Sequence, residues 1–543
     1  MAWQCLLIVA LVLTAGAAGA MAETITPHVT TDGSVDCSSV KAIVADVCAE
    51  GMTDQQKAIA LFEFARRLMF HYPNRADPAA VHDTLRLLNT YGYSFCSQQA
   101  MLTVDLWQTA GLKAKAKAVP GHTTMEANYG EGTHWFDLLI GAYVYQRDGK
   151  TIASLAEIAA DQDLLRKAVA EKRAAPGMVP CGAVLKDDAA RFCKHNPKYI
   201  EECAQYADDV DYMASTASVA EDWKWGTVGK SRFQPAINLR RGEKVRFLWD
   251  FLPDQAKCDV LAPDAAPRNY WVKPKDLPPY HFCGVEAEKK DVNWKYFKPY
   301  VKQVQEVKTG RYAANGYHVY QPDLTAKPAA GDFEANTYAF AAGGAPALRV
   351  AEAGKPSELT FRMTTPHVYT GATITARFNR ATAEDVSAIY LTMNVWDNSE
   401  RKMVNRKVKI WDAAGAGAGV ATAEVELKKQ IRGLRDLVLT FESSTKGDPA
   451  KAGLAALKIQ AVFQHNMFAR PYLVCGPNHV TVKTANAGAL SNVPLTVIYA
   501  WEQAGEKKTH SQKITTSPAT YTIDVAGKKG DLPRMLSLEM AAE

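Results

Sequence analysis

Residues 91–112 read YGYSFCSQQAMLTVDLWQTAGL, and the placing of every other segment follows from them. A turn bearing Gly92 and Ser94 delivers Cys96 to a stretch in which Met101, Val104 and Leu106 recur at helical spacing as far as Ala110. Gly111 then stands where a left-handed cap residue ends a helix. Upstream, Thr53 and Gln56 form a capping-box pattern ahead of Ala58, Leu61, Phe62, Phe64, Ala65 and Met69, which predicts a helix to about Phe70. Downstream, short alternating segments near 113–119, 123–128 and 134–140 predict strands. Residues 50–175 therefore read as mixed α and β.

The whole chain has 543 residues, and at roughly 150 residues per folding unit that predicts three or four units. Apolar residues at 47% and charged residues at 22% are ordinary globular values and exclude a disordered, collagen-like or multi-span membrane chain. With 63 basic against 58 acidic residues the net charge is only +5, so nothing argues for nucleic acid, which demands a concentrated basic surface. An apolar run from Leu6 to Leu13 passes into small residues and ends at Ala20-Met21-Ala22, the pattern of a cleaved export signal. Residues 1–22 are thus expected to be removed after Ala22, leaving a secreted or periplasmic protein with no membrane span in the mature chain. Ten cysteines less Cys5 leave nine, and in an oxidising compartment an odd number implies one thiol left over. Cys37 with Cys48 and Cys258 with Cys283 are near pairs suited to bridges, while the full connectivity is open.

The segment 185–325 holds cysteine pairs and proline clusters, with one strand pattern at 244–249 after the turn Arg241-Gly242-Glu243. Its last part, Arg311–Leu324, reads as a structured junction. Residues 326–332 look like a linker. From 333 onward the pattern is β: Ala372, Ile374, Ala376 and Phe378 alternate with Thr and Arg, and similar runs occur at 391–395, 437–441 and 495–501. Residues 413–419 form a small-residue loop, and no internal repeat stands out. Regularly spaced short strands predict β-sandwich modules. Tyr369, Trp396, Trp411 and Trp501 are candidates to stack on sugar rings, set against the commoner role of aromatics in a core.

Cys96 is the residue around which chemistry can be organised. A cysteine entering a helix meets unpaired backbone N–H groups and the positive end of the dipole, which favour the thiolate and can also hold an oxyanion. A thiol nucleophile needs a base, and the base needs an orienting group. His122, in GHTTMEANY, follows on a predicted strand, and Asp137, in HWFDLL, lies fifteen residues beyond it on the next one. Order and spacing allow Cys96 as nucleophile, His122 as general base and acid, and Asp137 as the carboxylate that fixes the imidazole.

At these residues the chain resembles the transglutaminase-like superfamily. The resemblance lies in Tyr93-Ser94-Phe95-Cys96, Gly111-Leu112-Lys113-Ala114-Lys115, Gly121-His122 with Glu126, and Trp135-Phe136-Asp137, and it covers about residues 50–150. Family members often carry Arg where Lys115 stands and an aromatic where Thr124 stands. The resemblance implies an α+β, papain-like N-terminal domain with a Cys-His-Asp triad, acting by acyl transfer or amide hydrolysis with no cofactor. The resulting organisation is 1–22 signal peptide, 23–175 transglutaminase-like domain, 176–332 irregular or β connecting region, and 333–543 β-sandwich modules. The expected substrate is an extracellular or cell-envelope protein, peptide or polysaccharide. Two other readings share the sequence: a non-catalytic polysaccharide or cell-surface binding protein, and a carbohydrate-cleaving enzyme using the same cleft with Tyr93 or carboxylates in proton transfer. His134 is a rival base, paired with Asp148, because residues three apart on a strand face opposite sides. Glu126 is either a support to the site or a solvated strand position. A metal site of His122, Glu126 and His134 has no compact ligand spacing behind it.

Overall fold

The computed structural model describes residues 24–71, 82–94, 96–119, 122–138, 141–175, 213–222, 233–249, 252, 314–328, 332–399 and 401–543. Of the described residues 44% lie in strands and 19% in helices. The leader and Cys181, Cys193, Cys203, Cys258 and Cys283 fall outside them.

Side-chain caps start the first two helices. Ser39 caps Val40–Val47 by accepting from the Ala42 N–H at 3.0 Å. Thr53 and Gln56 close a capping box on Asp54–Leu68. A π turn, Leu87–Tyr91, ends at Gly92 with φ +70°, and Cys96–Thr109 follows. This last helix packs on an antiparallel sheet of Gly132–Phe136, His122–Tyr129, Lys113–Val119 and Glu221–Asp222. Phe62, Trp107, Phe136 and Tyr143 interlock between helix and sheet, with ring centroids 4.9–5.8 Å apart.

The larger part of the chain is β. A ten-stranded sheet is built around Gly453–Gln464, which pairs on one side with Gly316–Tyr320 and elsewhere with Val368–Arg380. Glu243–Leu248 lies between Gly316–Tyr320 and Arg534–Ala542. A five-stranded sheet runs Ala335–Asn336, Ser357–Thr364, Asp436–Ser444, Val386–Asp397, Lys402–Asp412. The chain's beginning joins its end: Pro27–Thr31 pairs with Gly476–Thr484, which also pairs with Ala519–Val525.

These pairings correct the expected fold class. The chain is mostly β, with large curled sheets, and is not an α+β, papain-like N-terminal domain followed by separate β-sandwich modules. The cause is long-range pairing. Strands at 27–31, 243–248 and 316–320 complete sheets whose other members lie tens to hundreds of residues away, and periodicity within a window carries no information about such partners. Arg311–Leu324, read as a junction, contributes Gly316–Tyr320 to the interior of the large sheet. Among the described residues Cys37, Cys48, Cys96 and Cys475 are in no disulfide, so the expected Cys37–Cys48 bridge is absent. No helix among the described residues is long and apolar enough to cross a membrane.

Where the helical part meets the large sheet, three histidines are buried together: His318, His367 and His465. His465 Nε2 donates to the Asn315 carbonyl at 3.0 Å while its Nδ1 is buried without a partner, so the neutral ring suits the site. Burial lowers its pKa to about 3, with Arg470 adding to the effect, and lowers that of His318 to about 4 against a partial opposing pull from Glu243. Unfolded histidine titrates near 6.5. Between that pH and about 4 the unfolded chain therefore binds protons that the native chain refuses, and stability falls as pH falls, by about 1.4 kcal/mol per pH unit for each such histidine. Urea unfolding midpoints should drop steadily from pH 6.5 toward 4.5. The slope should become shallower in His318→Gln, and an unchanged slope in that variant would contradict the assignment.

Candidate active site

Cys96 is the first residue of its helix and is half-buried. The far end of that helix is fixed. Gly111, at φ +90°, donates to the Gln108 carbonyl at 3.1 Å, and the Leu112 N–H reaches the Trp107 carbonyl at 2.9 Å. The Trp107 indole N–H donates to the Ala58 carbonyl at 2.9 Å and locks the helix against Asp54–Leu68. The N–H groups of the helix's first turn have no acceptor within the helix, so the thiol sits at a natural site for negative charge.

His122 opens the strand His122–Tyr129, and Asp137 stands just past Gly132–Phe136, its antiparallel neighbour. Nε2 of His122 donates to Oδ2 of Asp137 at 2.7 Å. Asp137 is wholly buried, and its backbone N–H and C=O both bond to Ala142 at 2.8 Å. The turn that returns to Ala142 is held in turn by Arg66, which pairs with Glu63 and donates to the Gly141 carbonyl at 3.2 Å. No hydrogen bond of ordinary geometry forms at Nδ1 of His122, and the Cys96 side chain is the further group that interacts with the ring. Burial acts against a charged imidazole here, but Asp137 and Cys96 together outweigh it and raise the His122 pKa to about 10. The structure thus brings Cys96, His122 and Asp137 together in the order thiol, imidazole, carboxylate.

Neighbouring positions take structural roles. Thr124 Oγ1 donates to the Phe136 carbonyl at 2.7 Å and accepts from the Trp135 indole at 2.8 Å, which pins the His122 strand to the Asp137 strand. Lys115 is an exposed partner of Asp222 at 2.8 Å. Glu126 accepts the Leu155 N–H at 3.0 Å at the start of the helix Leu155–Ala160, so it supports the fold rather than the reacting groups. His134 is occupied at both nitrogens by carbonyls, of Ile152 at 2.7 Å and Tyr129 at 3.2 Å, and Asp148 is spent on Lys150 and Thr151 in an exposed turn. That pair is not a catalytic dyad. Among the described residues no three His, Cys, Asp or Glu side chains are placed to hold a metal ion. Tyr369 and Trp501 are buried and Trp411 stacks on Phe378, so these three do not offer rings to a sugar; the Trp396 side chain and the Pro120–Gly121 turn lie outside the described residues. A cleft of about 960 Å³ lined by Lys117, Tyr129, His134 and Gln146 contains none of the triad.

Sequence reasoning missed Asn466. Its Nδ2 donates to the Leu88 carbonyl at 2.7 Å and the Leu68 carbonyl at 3.1 Å, and its Oδ1 accepts from the Phe468 N–H at 3.1 Å. Its own N–H donates to the Asn89 carbonyl at 2.9 Å. Gly92 passes so close that a Cβ there would lie 2.8 Å from the Asn466 amide carbon, and with φ +70° only glycine fits easily. The segment that leads to Cys96 is therefore gripped from the β part of the chain. The local signal was Asn466 as cap of the turn Met467–Ala469; its reach to Leu68 and Leu88 had none.

Asn466→Ala should strip two buried carbonyls of their donor, at about 1–3 kcal/mol for each. Asn466→Asp, which keeps the shape and Oδ1 but offers no N–H, should lose a similar amount. Urea unfolding of the two variants checks this, and a loss no larger than that of a surface substitution would contradict it.

No protein-family model matches the chain, and no curated protein matches its sequence. Among solved structures, allantoicase from Saccharomyces cerevisiae aligns over 35% of this chain and 74% of its own at 7% identity, with a TM-score of 0.15. An FMN-binding β-glucuronidase from Facaelibacterium prausnitzii aligns over 34% of this chain and 27% of its own at 14% identity, with a TM-score of 0.11.

Proposed function

We propose that the protein is an exported thiol enzyme that performs acyl transfer or amide hydrolysis through Cys96, His122 and Asp137. The observation that carries this is the buried 2.7 Å contact of His122 with Asp137, with the Cys96 side chain against the same ring. The resemblance of these residues to the transglutaminase-like superfamily supports the same chemistry. Asp137 favours an imidazolium, and an imidazolium beside a thiol at a helix start favours the thiolate. Sulfur attacks the amide carbonyl carbon, His122 gives its proton to the departing amine, and a thioester to Cys96 remains. Water or a second amine, deprotonated by His122, then displaces the sulfur, giving hydrolysis or a new amide. The first-turn N–H groups of the Cys96 helix are placed to hold the oxyanion in both steps. The substrates that suit an exported chain are extracellular or cell-envelope proteins, peptides or peptide-bearing polysaccharides.

Because the His122 pKa is raised to about 10, the imidazolium persists through neutral pH and is lost only as pH rises through that value. Alkylation of Cys96 by iodoacetamide, followed by peptide mass mapping, should accordingly be fast and nearly flat from pH 6 to 9, whereas an ordinary thiol of pKa near 8.5 gains rate throughout that range. His122→Ala should restore the ordinary thiol profile. Cys96→Ala should abolish turnover of a dansyl-cadaverine or peptide-amide substrate, and Asp137→Asn should cost on the order of 10²–10⁴ in rate. A native Cys96 that resists alkylation would overturn the reading.

A further inference from the structure

Arg470 is a deeply buried cation that the chemistry above leaves unused. It is 7% exposed, and burial pulls its pKa down to about 10. Among the described residues no carboxylate pairs with it. Among the described residues its guanidinium makes one hydrogen bond, from Nη2 to Oδ1 of Asn89; its Nε is buried without an acceptor, and the group lies 5.1 Å from the centre of the Phe247 ring. Asn89 cannot turn to offer more, since its Nδ2 already donates to the Cys37 and Leu85 carbonyls, each at 2.9 Å. From the sheet side the ionisable neighbours are His367 and His465, which bring no negative charge. From the other side comes Cys37, a buried thiol whose pKa is pushed up to about 12 by burial. A guanidinium in this setting is costly, and such charges are found with a counter-charge.

A cavity of about 150 Å³ opens beside it, its lining including Arg470, Asn89, Phe247, Val29, Ile237 and Met540. One carboxylate, Asp36, is also on the lining. It is already taken by the His28 ring at 3.0 Å and the Ser38 N–H at 2.9 Å and does not reach Arg470. The lining is therefore mixed: an unmatched cation, a mostly apolar remainder that includes Val29, Ile237, Phe247, Leu538 and Met540, and polar side chains such as Thr26, His28 and Ser34.

We infer that this cavity is a binding site for a small monocarboxylate, its anionic group on the Arg470 guanidinium and a short apolar body against Val29, Ile237 and Met540. The planar guanidinium suits a carboxylate, and the volume limits the body to a few carbons. An inorganic anion would meet the charge and leave the apolar walls bare; a neutral amide of the same shape would do the reverse. Both parts of the site are needed for tight binding.

The test is a melting-temperature titration of the full chain with sodium butyrate, sodium chloride and butyramide in separate arms, the two salts matched in ionic strength. Butyrate should raise Tm saturably, by about 2 °C or more near saturation, and butyramide should not. In Arg470→Gln the butyrate effect, measured against that variant's own chloride baseline, should vanish. Should that variant fail to fold, the wild-type butyrate–butyramide difference still decides. Equal stabilisation by chloride and butyrate would overturn the carboxylate assignment in favour of a simple anion, and no saturable shift from butyrate would overturn the site altogether. None of these readouts depends on Cys96, so they stand or fall separately from the proposed catalysis.

Discussion

One side chain, Asn466, holds together what the rest of the site needs. A helix ending at Leu68 leaves its last carbonyls without intrahelical donors, and the π turn at 87–91 exposes another at Leu88. Both ends are buried, so each carbonyl must find a donor or cost the fold dearly. The amide of Asn466 has two N–H bonds and answers both, while its oxygen caps the turn it stands on. Every polar group of that side chain is satisfied, and the satisfied network crosses from the β part of the chain to the segment that delivers Cys96. Arg470 to Asn89 and Gln464 to the Thr90 carbonyl at 3.4 Å reinforce the same crossing.

The consequence is that the thiol's position is set by residues far from it in sequence. Cys96 lies on a helix whose body is secured locally, by Gly111 and Trp107. Its approach is secured remotely, by a strand-to-turn corner at 464–470 that is itself the end of the central strand of the large sheet. The β part of the structure is therefore not an attachment to the helical part. It supplies the wall against which the helical part is built, and the pairing of Pro27–Thr31 with Gly476–Thr484 ties the chain's start to that wall as well.

This division also explains what the sequence could reveal. The Cys96 helix and its glycine stop were readable because both are local: a 3.6-residue period and a residue that tolerates positive φ. The strand that opens at His122 and the one that ends just before Asp137 were readable for the same reason, and their spacing matched an antiparallel pair. The fold class was not. A strand such as Gly316–Tyr320 takes its place from Gly453–Gln464 and Glu243–Leu248, and nothing in RYAANGYHVYQPDL names those partners. Burial failed in the same way for the aromatics. Tyr369 alternates just as a sheet-surface tyrosine would, and only the layer packed over it shows that it faces inward, donating toward His318 at 3.0 Å.

The buried histidines supply the strongest internal control on the site. His122, His318 and His465 are all removed from water, and desolvation pushes each toward the neutral form. Two of them follow that push and one does not. His318 has a carboxylate within 3.7 Å, that of Glu243, but Glu243 is already engaged by Arg240 at 2.8 Å, so its charge is shared with a stronger cation. Among the described residues, the charged neighbour of His465 is Arg470. His122 alone meets a buried carboxylate at 2.7 Å and, on its other side, a thiol able to carry a second negative charge. Among these buried imidazoles, the sign of the shift is decided by a carboxylate hydrogen-bonded to the ring, and that arrangement is costly to build for packing alone. It is the arrangement that a proton-transferring imidazole beside a thiolate requires.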